Sequence, residues 1–531
     1  MNRGWRWAVA CIGLGAMTLA AAANQAGKPT LGGRVARIDG SGVPGVLVVA
    51  TAGTVRWATM SEADGAFTLP VDGGGPWRVA VSDRVWEGSA DAAAPSGTLS
   101  LRATARSGPV AHGSSSWLGL LPDGEAKRRF ILDCTGCHQF NETRALTDGS
   151  PRAAVRWSAD IKRMLQFAGA ASSFPVIAAD RDADSTGAWL ERSIRAGWPA
   201  RLPRPASASN DAAQAVITEY DLPVAQDLPH DLAVEPSGLV LITGMFSHQM
   251  FLLTPSTGQV RSVPIPVPNA NPRAVEVDGA GDWWVLLGAP GRVARYQPAR
   301  DAWDSWPIGM YPHSVAVAPG GGAVWFNGHF TKDPILIGRL DPATGAVDSF
   351  VAPRHPVLSA RGGPIPYEQR LAPDGGVWMS ELLGNRMVRL DPRTGAVRTW
   401  DLPRPHSGPR RFDVAPDGTL WIPAYSGNAL VRFDPGREQF REYPLPMSDA
   451  LPYVARVHPG TGDVWIGTAA ADAIIRFDPR RERFSVYPVP TRGATMRHMA
   501  VEPATGAVWV AYGASPALHP ARVARLVLRD R

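Results

Sequence analysis

Two cysteines and a histidine stand together in Leu132-Asp133-Cys134-Thr135-Gly136-Cys137-His138-Gln139. C-x-x-C-H is the attachment signature of c-type haem: two thiolates add to the vinyl groups, and the adjacent histidine binds iron axially. The spacing suits that chemistry. One helical turn carries both sulfurs to one porphyrin edge while His138 turns toward the metal. A redox dithiol would need a βαβ setting, which is absent, and a zinc site would need a second ligand pair. The only other cysteine is Cys11, inside an N-terminal apolar stretch. One covalent haem c on Cys134, Cys137 and His138 is therefore expected.

The elements around the motif can hold such a group. Glu125 to Ile131 reads as a helix leading into it. Ala153 to Phe167 is amphipathic, with Trp157, Ile161, Met164 and Leu165 on one face, and Asp184 to Ala196 reads as a closing helix. Residues 121–200 thus resemble small class I-like cytochrome c domains with a Trp and Met helix after the motif. That resemblance makes Met164 the distal iron ligand, and thioether ligation raises the reduction potential relative to two histidines. A core methionine on a helix face is the competing reading.

Residues 1–23 read as a secretory signal, with Arg3 and Arg6 before the apolar run Trp7 to Leu19 and an A-x-A site at Ala21-Ala22-Ala23. The run is short for a membrane span, so a periplasmic or secreted chain with no span after cleavage is expected. Composition fits a globular protein, with 45% hydrophobic and 19% charged residues; Gly (55) and Pro (49) favour many short strands. The net charge of +6 is spread over scattered arginines. Neither a basic run nor a nucleic-acid motif is present, and no nucleic-acid partner is expected.

Residues 29–105 alternate apolar and polar residues between Asp39-Gly40, Pro44-Gly45 and Asp64-Gly65 turns. With T-x-x-x-G-x-F-x-L and P-G-V features, this segment resembles the carboxypeptidase regulatory-like β-sandwich, an accessory fold without chemistry of its own. A linker, 106–120, leads to the haem segment.

Self-similarity dominates 214–530. Asp-Pro or its equivalent recurs at Pro255, Pro298, Pro342, Pro392, Pro435 and Pro479, and a tryptophan at Trp284, Trp325, Trp378, Trp421, Trp465 and Trp509. A period near 43 residues with four short strands per unit is a β-propeller blade. Outer strands and inner sets each number seven, and 215–223 should complete the last set. The expected fold class is mostly β: a seven-bladed β-propeller, an N-terminal β-sandwich and an α-helical cytochrome c-like domain between them.

The repeat Pro312-His313-Ser314-Val315-Ala316-Val317-Ala318-Pro319, with Asn385-Arg386-Met387-Val388-Arg389-Leu390-Asp391-Pro392-Arg393-Thr394-Gly395, resembles the streptogramin B (virginiamycin B) lyase family. Its members open a cyclic depsipeptide ester by β-elimination, with a histidine base and Mg²⁺ held by glutamate on the central face. Carried over, the resemblance implies a base at His313 or His498 and a Mg²⁺ carboxylate at Glu381. The pattern is incomplete. Fourteen residues after His230, His313 and His498 stand Gly244, Asn327 and Tyr512, and the lone W-x-x-E, ending at Glu381, has Tyr367 in place of the histidine.

Repeat equivalence puts His230, Asn271, Arg273, His313, Tyr367, Gln369, Arg410, Arg411, Tyr453, Arg456, Arg497 and His498 on one face, with His329, Glu381 and Tyr425 beside them. Such a funnel suits a small polar or anionic ligand. Residues that tie adjacent blades together are the alternative for each histidine. Three functions follow: a haem protein passing electrons to a periplasmic redox partner, its propeller a binding or docking platform; a C–O lyase; and a redox-sensing or structural module.

Overall fold

The computed structural model describes residues 29–72, 74–94, 98–106, 113–172, 175–178, 180–199, 210–330, 335–356, 363–513 and 519–529. The export signal expected at 1–23 lies outside them. No described helix is long and apolar enough to cross a membrane.

The chain is mostly β. In the N-terminal part, Thr30–Ala36 lies between Ala66–Pro70 and Thr98–Arg102, while Leu47–Ala52 lies between Val55–Met60 and Trp77–Val81. Their inward residues, among them Val35, Val48, Phe67, Leu69, Trp77 and Val79, form one apolar cluster. Gly65 in the Asp-Gly turn sits at φ +86, and a Cβ there would lie 2.3 Å from the Val35 carbonyl oxygen, so only glycine closes this turn.

Five helices follow: α1 (Ser114–Leu118), α2 (Glu125–Cys134), α3 (Glu142–Ala145), α4 (Ala154–Ala168) and α5 (Ala183–Gly197). Helix α4 buries Trp157 and Ile161, and α5 buries Leu190 and Ile194, the 3.6-residue stripe that draws each onto a shared core. Asp182 caps α5 by accepting from the Ser185 amide at 2.7 Å.

From Pro229 onward, six four-stranded antiparallel sheets succeed one another, each a meander such as Pro366–Leu371, Val377–Glu381, Arg386–Leu390 and Val397–Asp401. After them, Met496–Val501, Val508–Tyr512 and Arg522–Leu528 take their fourth strand from Ala215–Asp221, which pairs antiparallel with Arg522–Leu528. The strand at the head of the repeat region thus completes the set at its tail. On its other edge Ala215–Asp221 pairs with Val55–Met60, which fuses an N-terminal sheet to this last set. Arg56 reinforces the seam through both oxygens of Asp221, at 2.9 and 3.0 Å.

The repeat motifs have a packing reason. Each strand tryptophan lies directly opposite an arginine of the next strand, as Trp378 does Arg389 and Trp509 does Arg525. The Arg525 guanidinium lies 5.6 Å from the Trp509 ring centre, a cross-strand cation–π pair. The asparagine of the N-x-x-x-R motif starts the strand in the left-handed region, at φ 54 for Asn385 and 51 for Asn428. The Asn385 side-chain oxygen then accepts from the Ser407 amide of the next unit at 2.7 Å, and Asn428 from Ala450 at 2.8 Å.

Candidate functional site

Helix α2 ends on Cys134, the first cysteine of the motif. Thr135 leaves the helix at φ −117 while its hydroxyl donates back to the Ile131 carbonyl at 2.8 Å. Cys134 and Cys137 are both free thiols and partly buried. Burial, helped by the charge of Asp133, pushes the Cys134 thiol up to about 12. Arg181 Nε holds Asp133 at 2.7 Å behind the motif. Burial, then the charge of Arg144, lowers the His138 imidazole, and its Nδ1 is buried without a hydrogen-bond partner. Two free thiols and a neutral imidazole at one helix end, beside Phe130, Phe140 and Trp157, are a donor set that fits a covalent haem. Cys134, Cys137 and His138 would hold it.

Met164 is exposed on α4, three residues past the buried Ile161. Phe167, also on α4, is 66% exposed. Together they leave apolar surface on that helix, and no hydrogen bond or ring contact joins Met164 to His138.

The motif is seated on the propeller. Tyr425 Oη donates to the Thr135 carbonyl at 2.9 Å and lies 3.0 Å from the Thr135 hydroxyl. Arg497 reaches the Gly136 and Cys137 carbonyls at 3.4 and 3.1 Å, and Gln139 donates to the Ala469 carbonyl at 2.7 Å. Behind them Lys127, itself buried, pairs with Asp449 at 2.8 Å. One apolar cluster spans the junction, from Trp117, Phe130 and Leu132 to Leu382, Tyr425 and Leu451. A Cβ on Gly136 would stand 3.0 Å from an Arg410 nitrogen, so the motif's glycine lets the loop descend onto that guanidinium.

Inner strands of six sheets carry a register shift near their start, as between Pro366 and Gln369 or between Met496 and His498. Bulges there break the alternation, so adjacent pairs are both buried in the centre: His230 with Asp231, Tyr367 with Glu368, Arg497 with His498. The upper layer is aromatic and cationic. Arg410 lies 3.9, 4.3 and 4.9 Å from the rings of Tyr425, Tyr453 and Tyr367, and donates to Tyr367 Oη at 2.6 Å. Tyr453 and Tyr367 share a hydrogen bond. Burial opposes ionisation of Tyr453, but Arg497, Arg410 and Arg411 overcome it and bring the phenol down to about 8. Below lies an ionic layer. Arg411 pairs with Asp231 at 2.7 Å and Glu368 at 3.2 Å, and Arg456 with Glu368 at 2.9 Å. A cavity of about 360 Å³ opens beneath it, lined by Glu276, Arg370, Asp413 and Arg456 among others.

The sequence-predicted lyase residues lie apart. His313 is fully buried; its Nδ1 bonds the Tyr367 carbonyl at 2.7 Å and its ring stacks on His329 at 4.1 Å. Burial, then His329 and nearby guanidinia, holds it well below the ordinary histidine value. His498 faces two donors, Arg456 3.0 Å from Nε2 and the Leu232 amide 3.3 Å from Nδ1, so whichever nitrogen carries its one lone pair is already engaged within the fold. Glu381, also fully buried, is bidentate to Arg386 at 2.5 and 3.0 Å. A carboxylate committed on both oxygens to a guanidinium does not fit Mg²⁺, which wants several free oxygens. Among the described residues no group of three His, Cys, Asp or Glu side chains could hold a metal ion. Sequence reasoning missed Asp231, Glu368 and Glu276. Strict alternation points them away from the centre, and only the bulges turn them in.

A profile of the virginiamycin B lyase family matches residues 258–518. The propeller is virginiamycin B lyase-like. Virginiamycin B lyase from Staphylococcus aureus, in selenomethionine form, superposes with a TM-score of 0.52 at 20% identity, over 59% of this chain and 99% of that one. A streptogramin B lyase gives 0.52 at 20% identity, over 59% and 98%. A catalytically inactive form of the Staphylococcus aureus lyase with quinupristin gives the same score and identity, over 59% and 99%. At that identity the likeness is one of fold. No curated protein matches the sequence.

Proposed function

We propose that this is an exported c-type haem protein that passes electrons, with a seven-bladed lyase-like propeller as its docking and binding platform. A cytochrome c-like segment, 121–200, stands in this reading between a carboxypeptidase regulatory-like sandwich, 29–105, and the propeller, 214–530. The observation that carries it is the seating of Cys134-Thr135-Gly136-Cys137-His138 on the propeller mouth through Tyr425, Arg497 and Gln139. Covalently bound haem would supply one-electron chemistry at iron. This chain's own part is to hold the loop: Tyr425 and Arg497 fix its carbonyls, Asp133 and Arg181 brace the end of α2, and the Phe130–Trp157 cluster excludes water. Met164 is the proposed second axial ligand, and a periplasmic redox partner is implied.

The lyase reading rests on the family match and on His313 in its Pro-His step. Against it, the motif loop occupies part of the mouth, and His313 and Glu381 are buried in separate bonding networks. Expression with export and cytochrome maturation tests the proposal. A Soret band that persists in the denatured chain and disappears in Cys134→Ser/Cys137→Ser is expected. Absence of covalently bound haem overturns the reading, and Mg²⁺-dependent ester opening lost in His313→Ala would favour the lyase.

A further inference from the structure

Arg273 is the second residue of the strand Pro272–Val277 and is only 5% exposed, yet among the described residues its side chain makes one hydrogen bond, to the Met245 thioether 3.2 Å from Nη1. Its Nε is buried without a partner, and among the described residues no carboxylate lies within ion-pair distance. The guanidinium otherwise faces the Tyr311 ring, 5.4 Å away. A buried cation with a weak sulfur acceptor and no ion-pair partner among the described residues is poorly compensated for its desolvation, which makes it a ready donor to an anion.

Three imidazoles share that corner. His313 stacks on His329, and His230 meets His313 edge-on at 5.2 Å. Each directs Nδ1 at a backbone carbonyl: His230 at Arg273 (2.7 Å), His313 at Tyr367 (2.7 Å) and His329 at Pro366 (2.8 Å), with the Asp231 carboxylate also 2.7 Å and Arg411 3.2 Å from His230 Nδ1. A carbonyl can only accept, so Nδ1 carries the proton in all three, and each Nε2 presents a lone pair. His313 Nε2 is buried and unpartnered. Burial first, with Arg273 the leading charge on His230 and His329, keeps the rings neutral. The corner therefore offers a strong cationic donor and, beside it, acceptors awaiting a hydrogen.

We infer that Arg273, His230, His313 and His329 form a binding site for a small hydroxy acid, its carboxylate on Arg273 and its hydroxyl donating to an imidazole Nε2. A simple anion satisfies only the arginine. A neutral alcohol satisfies only the histidines. The pairing of an oxyanion with an adjacent O–H answers both. The inference goes beyond the haem reading and does not depend on it, since the site is built wholly from propeller residues.

Isothermal titration of the protein as expressed with export, whether or not haem is found on it, with glycolate and separately with acetate, tests the site. Glycolate should bind saturably, and acetate, lacking the hydroxyl, roughly threefold to tenfold more weakly. Arg273→Gln should weaken glycolate binding roughly ten- to a hundredfold, with Arg273→Lys intermediate. His313→Phe, which keeps an aromatic ring in the stack but removes the unpartnered Nε2, should bring glycolate down to the acetate level. Equal binding of the two acids, or glycolate binding unchanged in Arg273→Gln, overturns the inference. So does the lack of any saturable heat. The Soret band and thermal midpoint, recorded on the same samples, separate this outcome from loss of haem or of fold.

Discussion

Tyr425 of the propeller donates its phenolic hydrogen to the Thr135 carbonyl at 2.9 Å, inside the C-x-x-C-H loop. The two residues are 290 positions apart in the chain. Arg497 grips the next two carbonyls of the same loop. The C-x-x-C-H loop and the repeat array are thus joined by direct hydrogen bonds.

Loosening that seat should be measurable. Tyr425→Phe leaves a buried carbonyl without its donor, and Arg497→Gln removes a charge-assisted pair. Each should cost about 1–3 kcal/mol, read by guanidinium unfolding, with faster amide exchange at Thr135 to His138. Exchange in that loop identical to the unsubstituted protein would show that the propeller does not hold it.

Acid should destabilise the protein well before its carboxylates titrate. His230, His313, His329 and His498 are all held well below the ordinary histidine value of 6.5, chiefly by burial. Above 6.5 neither folded nor unfolded chain protonates them, and their contribution is intact. Below it the unfolded chain takes up protons that the folded chain refuses, so stability falls with pH. Each such group adds up to about 1.4 kcal/mol per pH unit. Denaturant midpoints at pH 7.5 and 5.5 check this, with His313→Phe expected to flatten the slope. A midpoint that does not move between those pH values would contradict it.

Glu381 should prove structural. Glu381→Gln breaks the bidentate pair and strands the Arg386 cation in a buried site, an expected loss of about 3–5 kcal/mol. Thermal unfolding with and without Mg²⁺ decides the point. A midpoint unchanged by the substitution, or raised by Mg²⁺ in the unsubstituted protein only, would restore the carboxylate as a metal ligand.

Arg410 and Arg497 have no carboxylate partner among the described residues, and both lie against the motif loop. Positive charge beside an iron centre disfavours its more positive, oxidised state. If the proposed haem is bound at the loop, Arg497→Gln is expected to lower its midpoint potential, by an energy on the order of 1 kcal/mol per electron. Spectroelectrochemical titration reads the shift, and a rise in potential would mean that rearrangement outweighs charge.

The mostly β, repeated architecture of this protein was legible from its sequence, and so was the local cluster of residues in the C-x-x-C-H motif. Cys134, Cys137 and His138 are adjacent in the chain, and the recurring Trp, Arg and Asp-Pro positions repeat with a period that only a strand meander satisfies. Cross-strand pairs such as Trp378 with Arg389 follow from that period because neighbours within one meander are set by short-range register, and the closing strand Ala215–Asp221 follows from counting outer strands against inner sets. The tertiary structure alone decided how the parts meet. No periodicity announces that Thr135 lies on Tyr425, because the contact is long-range and made by a backbone carbonyl. Nor does alternation reveal Asp231 and Glu368 in the centre. A bulge adds one residue to a strand, reverses which face the following side chain takes, and leaves no composition signal. By the same route Arg273 acquires its place beside three imidazoles with no ion-pair partner of its own among the described residues, a relationship that exists only once the strands are assembled.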